Sequence, residues 1–276
     1  SGGGPASGGD AAESTPVAPA SHRTRGEYVA WLRRCLRVRT LAAGIVIAAA
    51  VATVVVWRGR ATPRVPAAAH PACVSGPTTP GIDVSYFQQV IDWRRVYRAG
   101  IRFAFIRVSD GADNRDPMFS INWAEARHAG VARGAYQYFR PDQSALAQAD
   151  LLIGAMRGRD GGADLPPVLD LEVTGGLPID TVVQRARAWI DRVRSQLGVE
   201  PIVYTGGELW RTADASPLAH QPLWLAHYTT TCPIVPAAWP RWTFWQHTDH
   251  GAVPGIEGSV DLDVFAGTLG ELRALR

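Results

Sequence analysis

From residue 81 onward, eight short runs rich in β-branched and aromatic residues follow one another, and helical patterns separate the first five. The runs are 81–86, 102–109, 133–139, 167–173, 201–206, 223–228, 244–249 and 259–265. The intervening 91–100, 119–130, 142–158 and 178–198 are amphipathic, and the first two close on Gly100 and Gly130, as helix C-termini commonly do. Strand–helix alternation implies right-handed βαβ units and a parallel sheet. Eight such strands predict a closed α/β barrel, with loops instead of full helices joining the last three. No internal repeat is evident.

The N-terminal part has a different character. Residues 1–26 are dominated by Gly, Ser, Ala, Pro and Thr and contain nothing from which to build a core. The run 41–57 (LAAGIVIAAAVATVVVW) is apolar and uncharged. At 1.5 Å per residue it reaches about 25 Å, the short end of a bilayer span. Arginines crowd its N-terminal flank (WLRRCLRVR, 31–39), so the positive-inside rule predicts a cytoplasmic N-terminus and an extracytoplasmic C-terminal part. The organisation expected is a basic-ended tail (1–40), a single transmembrane helix (41–57), a Pro/Ala-rich linker (58–79) and a folded domain (80–276). A secreted form, cleaved near Ala67–Ala69, is the alternative. On the exported side Cys73 and Cys232 are available to form one disulfide.

The net charge of +3 rests on arginine alone, since the chain has no lysine. The arginines of the folded region are scattered rather than striped, which argues against nucleic-acid binding. No CxxC or Cys/His spacing supports a structural metal site, and His227, His247 and His250 lack a completing ligand pattern, so no metal or organic cofactor is expected.

The acidic residues carry the chemistry. In PPVLDLEV (166–173), Asp170 and Glu172 are two positions apart in an otherwise apolar run. On a strand, alternation places them on one face with Cα atoms about 6.5–7 Å apart. Like charges at that spacing repel and burial raises their pKa, which stability alone does not favour. Asp83, Asp261 and Asp263 fall on the first and last strands, so acids from separate strands converge where a barrel's reactive groups gather.

The region from about 80 to 270 resembles the glycoside hydrolase family 25 lysozymes, the Chalaropsis-type N-acetylmuramidases. The resemblance is carried, in order, by GIDVSYFQ with IDW, FAFIRVSDG, RGAYQYF, LPPVLDLEV, PIVYTG, PLWLAHY and WTFWQHTDHGAVPGIEGSVDLDVF. It departs from the family pattern at Asp110, where Glu is usual, and at Gln137, where His is common. The resemblance implies a flattened TIM-like barrel of eight strands with five main helices. It also implies cleavage of the β-1,4 bond between N-acetylmuramic acid and N-acetylglucosamine in peptidoglycan glycan strands, by a monomeric catalytic domain.

Glycoside cleavage needs an acid for the leaving oxygen and a group that stabilises the oxocarbenium-like centre. Glu172 is the expected acid, with Asp170 as its charged, orienting neighbour. The attacking group is either the substrate's own 2-acetamido oxygen or a water activated by Asp83 or Asp261. Asp83 and Asp261 are assigned to substrate binding, together with Tyr136, Tyr138, Tyr204, Trp224, Trp245 and Gln246 from the strand motifs. Two other functions fit the same residues: a non-catalytic peptidoglycan-binding barrel and a chitinase-like glycosidase.

Overall fold

The computed structural model describes residues 68–74, 76–157 and 164–275. Within them lie eight barrel strands: β1 (Thr79–Val84), β2 (Phe103–Asp110), β3 (Ala132–Tyr138), β4 (Val168–Asp170), β5 (Ile202–Gly206), β6 (Leu223–Ala226), β7 (Phe244–Gly251) and β8 (Val260–Phe265). They are hydrogen-bonded in sequence from β2 through β7, then to β8 and β1, and β1 pairs with β2 to close the ring. The accompanying helices are α1 (Trp93–Arg98), α2 (Phe119–His128), α3 (Ala145–Met156), α4 (Ile179–Leu197) and α5 (Leu269–Ala274). The barrel and its five helices agree with the expectation; α5, opened by a Thr268/Glu271 capping box, was not among the helical patterns read from the sequence.

The expectation of an all-parallel barrel is corrected at the last strand. β1 to β7 run the same way, but β8 is antiparallel to both β7 and β1. Only residues 252–259 separate β7 from β8. A parallel crossover needs a dozen or more residues, so a link this short returns the chain as a hairpin.

Alternation along the strands builds two cores. Phe103, Phe105, Val168, Ile202, Trp224, Phe244 and Phe265 fill the lumen, with Leu165 and Leu272 in the same cluster. Rings there meet at 4.5 Å (Phe105–Trp224 and Tyr204–Trp224) and 5.3 Å (Phe103–Phe244). Gly81 is needed beside them, since a Cβ at that position would lie 2.2 Å from the Phe103 ring. The opposite faces, including Ala104, Ile106, Leu169, Val203 and Leu225, join the helices in the outer core. α4 shows the helical period plainly: Val182, Ala186, Trp189, Ile190 and Val193 are its buried stripe.

The apolar run 41–57 and the tail before it lie outside the described residues. Among the described residues no helix is long and apolar enough to cross a membrane. The last part of the Pro/Ala-rich segment is attached to the barrel. His70–Pro71 pairs antiparallel with Ile234–Val235, Trp242 Nε1 donates to Ala72 O at 2.7 Å, and Cys73 is disulfide-bonded to Cys232 with Cα atoms 4.7 Å apart.

Candidate active site

The C-terminal ends of β1 to β7 and the start of reversed β8 open on one mouth. Reversal is what brings Asp261 there: it is the second residue of β8 and is paired in register with Asp83 on β1. Across the ring, Asp110 is in register with Tyr138, Tyr138 with Asp170 and Asp170 with Tyr204. The strand predicted over 167–173 ends at Asp170, so Glu172 stands beyond it on the loop. The chain stays extended for one more residue, since Leu171 N–H donates to Tyr204 O at 2.9 Å. The two acids therefore share a side but not an environment. Asp170 is buried in the barrel wall and its Oδ1 has no hydrogen-bond partner, whereas Glu172 is exposed at the opening.

Burial drives the Asp170 carboxyl well above its ordinary pKa, and the charge of Glu172 and a hydrogen bond to it push in the same direction. Glu172 keeps accessible surface, yet crowding by the rim is the largest effect and raises it too; the hydrogen bond from Asp170 and the Arg140 charge oppose that rise. Both carboxyls are thus raised, and as close neighbours they titrate as a pair, in two steps that belong to both.

A second group of acids faces them. Gln246 Nε2 donates to Asp83 Oδ2 at 2.7 Å, while its Oε1 accepts from Tyr204 (2.8 Å) and Tyr228 (3.0 Å). Behind them, Asp263 Oδ1 accepts from Trp224 Nε1 at 2.8 Å and Oδ2 is unpartnered. Burial raises Asp83 and Asp263 well above the carboxylate range, and it raises the half-buried Asp261 to a lesser extent.

A folded-state pKa above the unfolded one contributes stability that is present at low pH and lost as pH rises through the raised value. The domain's Tm is therefore expected to fall from mildly acidic to alkaline buffer. Asp263→Asn keeps an oxygen for Trp224 without the charge, and should flatten that fall in thermal unfolding scans. An unchanged pH slope would remove Asp263 from this account.

Tyr138 and Arg140 form the next side of the mouth. The Arg140 guanidinium lies 4.6 Å from the Tyr138 ring centroid and holds Asp110 through two bonds, Nε–Oδ1 at 2.5 Å and Nη2–Oδ2 at 2.8 Å. Asp110 shares the register of Tyr138 because the β2–β3 pairing shifts between Arg107 and Ser109. Partial burial, followed by the charges of Glu172 and Asp170, pushes the Tyr138 hydroxyl up to about 12. The other departure, Gln137, is not at the mouth. It is fully buried on the outer face of β3, donating to Ser109 Oγ at 2.8 Å and accepting from Trp189 Nε1 at 2.7 Å.

The mouth therefore brings together Asp83, Asp170, Glu172, Asp261 and Tyr138, with Tyr136, Tyr204 and Gln246 mostly buried just beneath. Two assignments to substrate binding are corrected. Trp224 is 1% exposed and packs in the lumen floor, too deep to touch a sugar. Trp245 is on the opposite face of β7 from Gln246, packs against the outer core and donates to His227 O at 2.7 Å. Tyr228, 52% exposed with its hydroxyl on Gln246, was not among the assigned residues, and neither was Arg140. Tyr228 closes the run 223–228 and Arg140 directly follows the run 133–139, positions at strand ends that are the signal for both. Among the described residues, no group of three or more His, Cys, Asp or Glu side chains is arranged to hold a metal ion.

The model of the family described as glycosyl hydrolases family 25 matches residues 82–256. Lysozyme M1 of Streptomyces globisporus is 37% identical over 217 residues, covering 74% of this chain and 73% of that protein. The Escherichia coli K12 protein YegX is 42% identical over 202 residues, covering 71% and 73%. Among solved structures, the bacterial lysozyme from Streptomyces coelicolor superposes with a TM-score of 0.66 at 34% identity, covering 73% of this chain and 98% of that one.

Proposed function

The chain belongs to glycosyl hydrolase family 25, and on that premise we propose that it is a muramidase. It cleaves the β-1,4 bond between N-acetylmuramic acid and N-acetylglucosamine in peptidoglycan, with Glu172 as proton carrier. The observation that carries this reading is the unequal Asp170–Glu172 pair at the barrel mouth. An exposed carboxyl can reach a glycosidic oxygen within a long glycan. A buried neighbour with an unpartnered oxygen can be reached only by a group inserted between them, such as the 2-acetamido arm.

The chemistry follows from that division. As the acetamido N–H donates to Asp170, it favours the Asp170 carboxylate, which leaves the pair's proton on Glu172. The acetamido oxygen then attacks the anomeric carbon while the glycosidic bond breaks, and Glu172 gives its proton to the departing oxygen. Glu172, now a carboxylate, takes a proton from the water that reopens the oxazolinium ring. Two inversions give net retention. Asp83, held by Gln246, and Asp261, its partner in register, bind from the far side. Tyr138 and Tyr228 line the opening between the two acid groups.

Digestion of purified peptidoglycan with the soluble domain tests the function. The expected products end in reducing N-acetylmuramic acid and first appear as the β-anomer by NMR. Reducing N-acetylglucosamine ends, or cleavage of chitin oligomers without wall lysis, would overturn the muramidase reading. An inverted first product would return the attack to water activated by Asp83 or Asp261.

We also place the domain outside the cytoplasm, as a monomer carried on a membrane anchor formed by 41–57, on the basis of that run's length and basic flank. The mature N-terminus, read by mass spectrometry of the membrane fraction, distinguishes a retained anchor from cleavage near Ala67–Ala69.

A further inference from the structure

Beside the mouth, the turn that follows β1 presents an aromatic ring to solvent. Phe87 is 65% exposed and Val90, three residues on, is 81% exposed. Exposed large apolar side chains need no explanation when isolated and mobile. This one is held from several directions. Ser85 and Gln88 cap the short 3-10 turn Tyr86–Gln88 reciprocally, and Tyr86 N–H donates to Asp116 Oδ2 at 2.9 Å. Gln88 Nε2 reaches Ser259 O at 3.2 Å, which ties the turn to the residue before β8 and Asp261. The Phe87 ring centroid is 4.3 Å from that of Tyr86, and the Arg107 guanidinium lies 5.5 Å from the Phe87 ring. Gln89 closes the turn at φ 51°, a backbone conformation that a side-chain-bearing residue keeps only when its surroundings impose it.

We propose that Phe87 is a stacking platform for the glycan strand, taking the apolar face of a pyranose ring outside the pair of sugars whose bond is cleaved. The inference rests on the muramidase reading and extends that site along the polymer. The turn is continuous with the mouth at both ends, through Asp83 on β1 and through Ser259 to Asp261. A polymer that places one bond at Glu172 must lay its neighbouring sugars over the rim, and the ring fixed there offers an apolar surface at little ordering cost. Sugar rings bring axial C–H bonds to such a face, and an aromatic edge or face contact of this kind changes affinity by about three- to tenfold.

The test compares wild type, Phe87→Ala and Phe87→Trp on soluble, uncrosslinked glycan strands and on the shortest oligosaccharide that is cleaved. Phe87→Ala is expected to raise KM for long strands by about three- to tenfold with kcat unchanged. KM for the shortest oligosaccharide should stay the same, and Phe87→Trp should restore the long-strand value. Unchanged KM for long strands, or a fall in kcat that Trp does not restore, would overturn the platform. Wild-type protein inert on both substrates would instead defeat the muramidase reading. Binding of Glu172→Gln protein to the same strands, with and without Phe87→Ala, then tests the platform independently of turnover: equal binding removes it, weaker binding by the double variant supports it.

Discussion

Glu172→Gln is expected to clear a peptidoglycan suspension about 10²–10⁴-fold more slowly than the unmodified domain, the range over which a positioned general acid contributes. The substitution keeps size and hydrogen-bonding capacity at an exposed loop position, so thermal stability should change little and KM should move much less than kcat. It removes the only carboxyl of the pair that stands clear of the barrel wall. A glycoside whose aryl leaving group departs without protonation bypasses the missing acid, and the deficit in the bond-breaking step should shrink by at least about tenfold on it. Equal clearing by both proteins would sink the catalytic assignment and return the domain to a binding role.

Asp170→Asn is the second large effect, and its signature differs. With the pair's proton on Glu172, Asp170 supplies a negative charge beside the acetamido group as positive charge develops there. Loss of such a preorganised partner costs about 10²–10³-fold in kcat. An activated leaving group should not rescue this variant, because proton donation to the leaving oxygen is not what it lacks. The pH profile should change as well. In the unmodified enzyme the Asp170–Glu172 pair must keep one proton, and both carboxyls titrate above their ordinary values. Activity is therefore expected to persist past the usual carboxylate range and to fall as pH rises through the upper step of the pair. In the Asp170→Asn variant Glu172 has no carboxyl partner to share the proton, and that alkaline limb should move. A D170N enzyme rescued by the activated substrate, with an unshifted alkaline limb, would assign Asp170 a purely structural role.

Much of the architecture is legible from the sequence alone, because period and punctuation are local signals. Strands such as 103–110 and 202–206 declare themselves by composition, and α4 by an apolar stripe that needs no tertiary information. The acid positions were legible for the same reason, since carboxylates are conspicuous in apolar runs. What the sequence obscured was depth and direction. Trp224 and Gln246 both face the lumen, but a sequence does not say how far down each one lies, and Trp224 is the floor. Trp245 could have been excluded, since it neighbours Gln246 on the same strand and alternation turns it outward. The same argument places Gln137, between Tyr136 and Tyr138, against α4 and away from the mouth. The register shift before Ser109, which leaves Asp110 level with Tyr138, depends on how two strands pair and has no local signature. The reversal of β8 was within reach, because GAVPGIEG is too short for a crossover helix.

That reversal also decides at which end of the barrel the first strand begins and the last one finishes. β1 begins, and β8 finishes, at the end opposite the acids, where α5 continues and Leu272 joins the lumen cluster. In an eight-stranded barrel with every strand parallel, the final strand would run out at the mouth and deliver the C-terminal segment beside the reacting sugar. Here, cargo fused behind α5 would begin at the floor. Appending a wall-targeting module or an affinity handle at that end therefore leaves the approach of a glycan strand unobstructed.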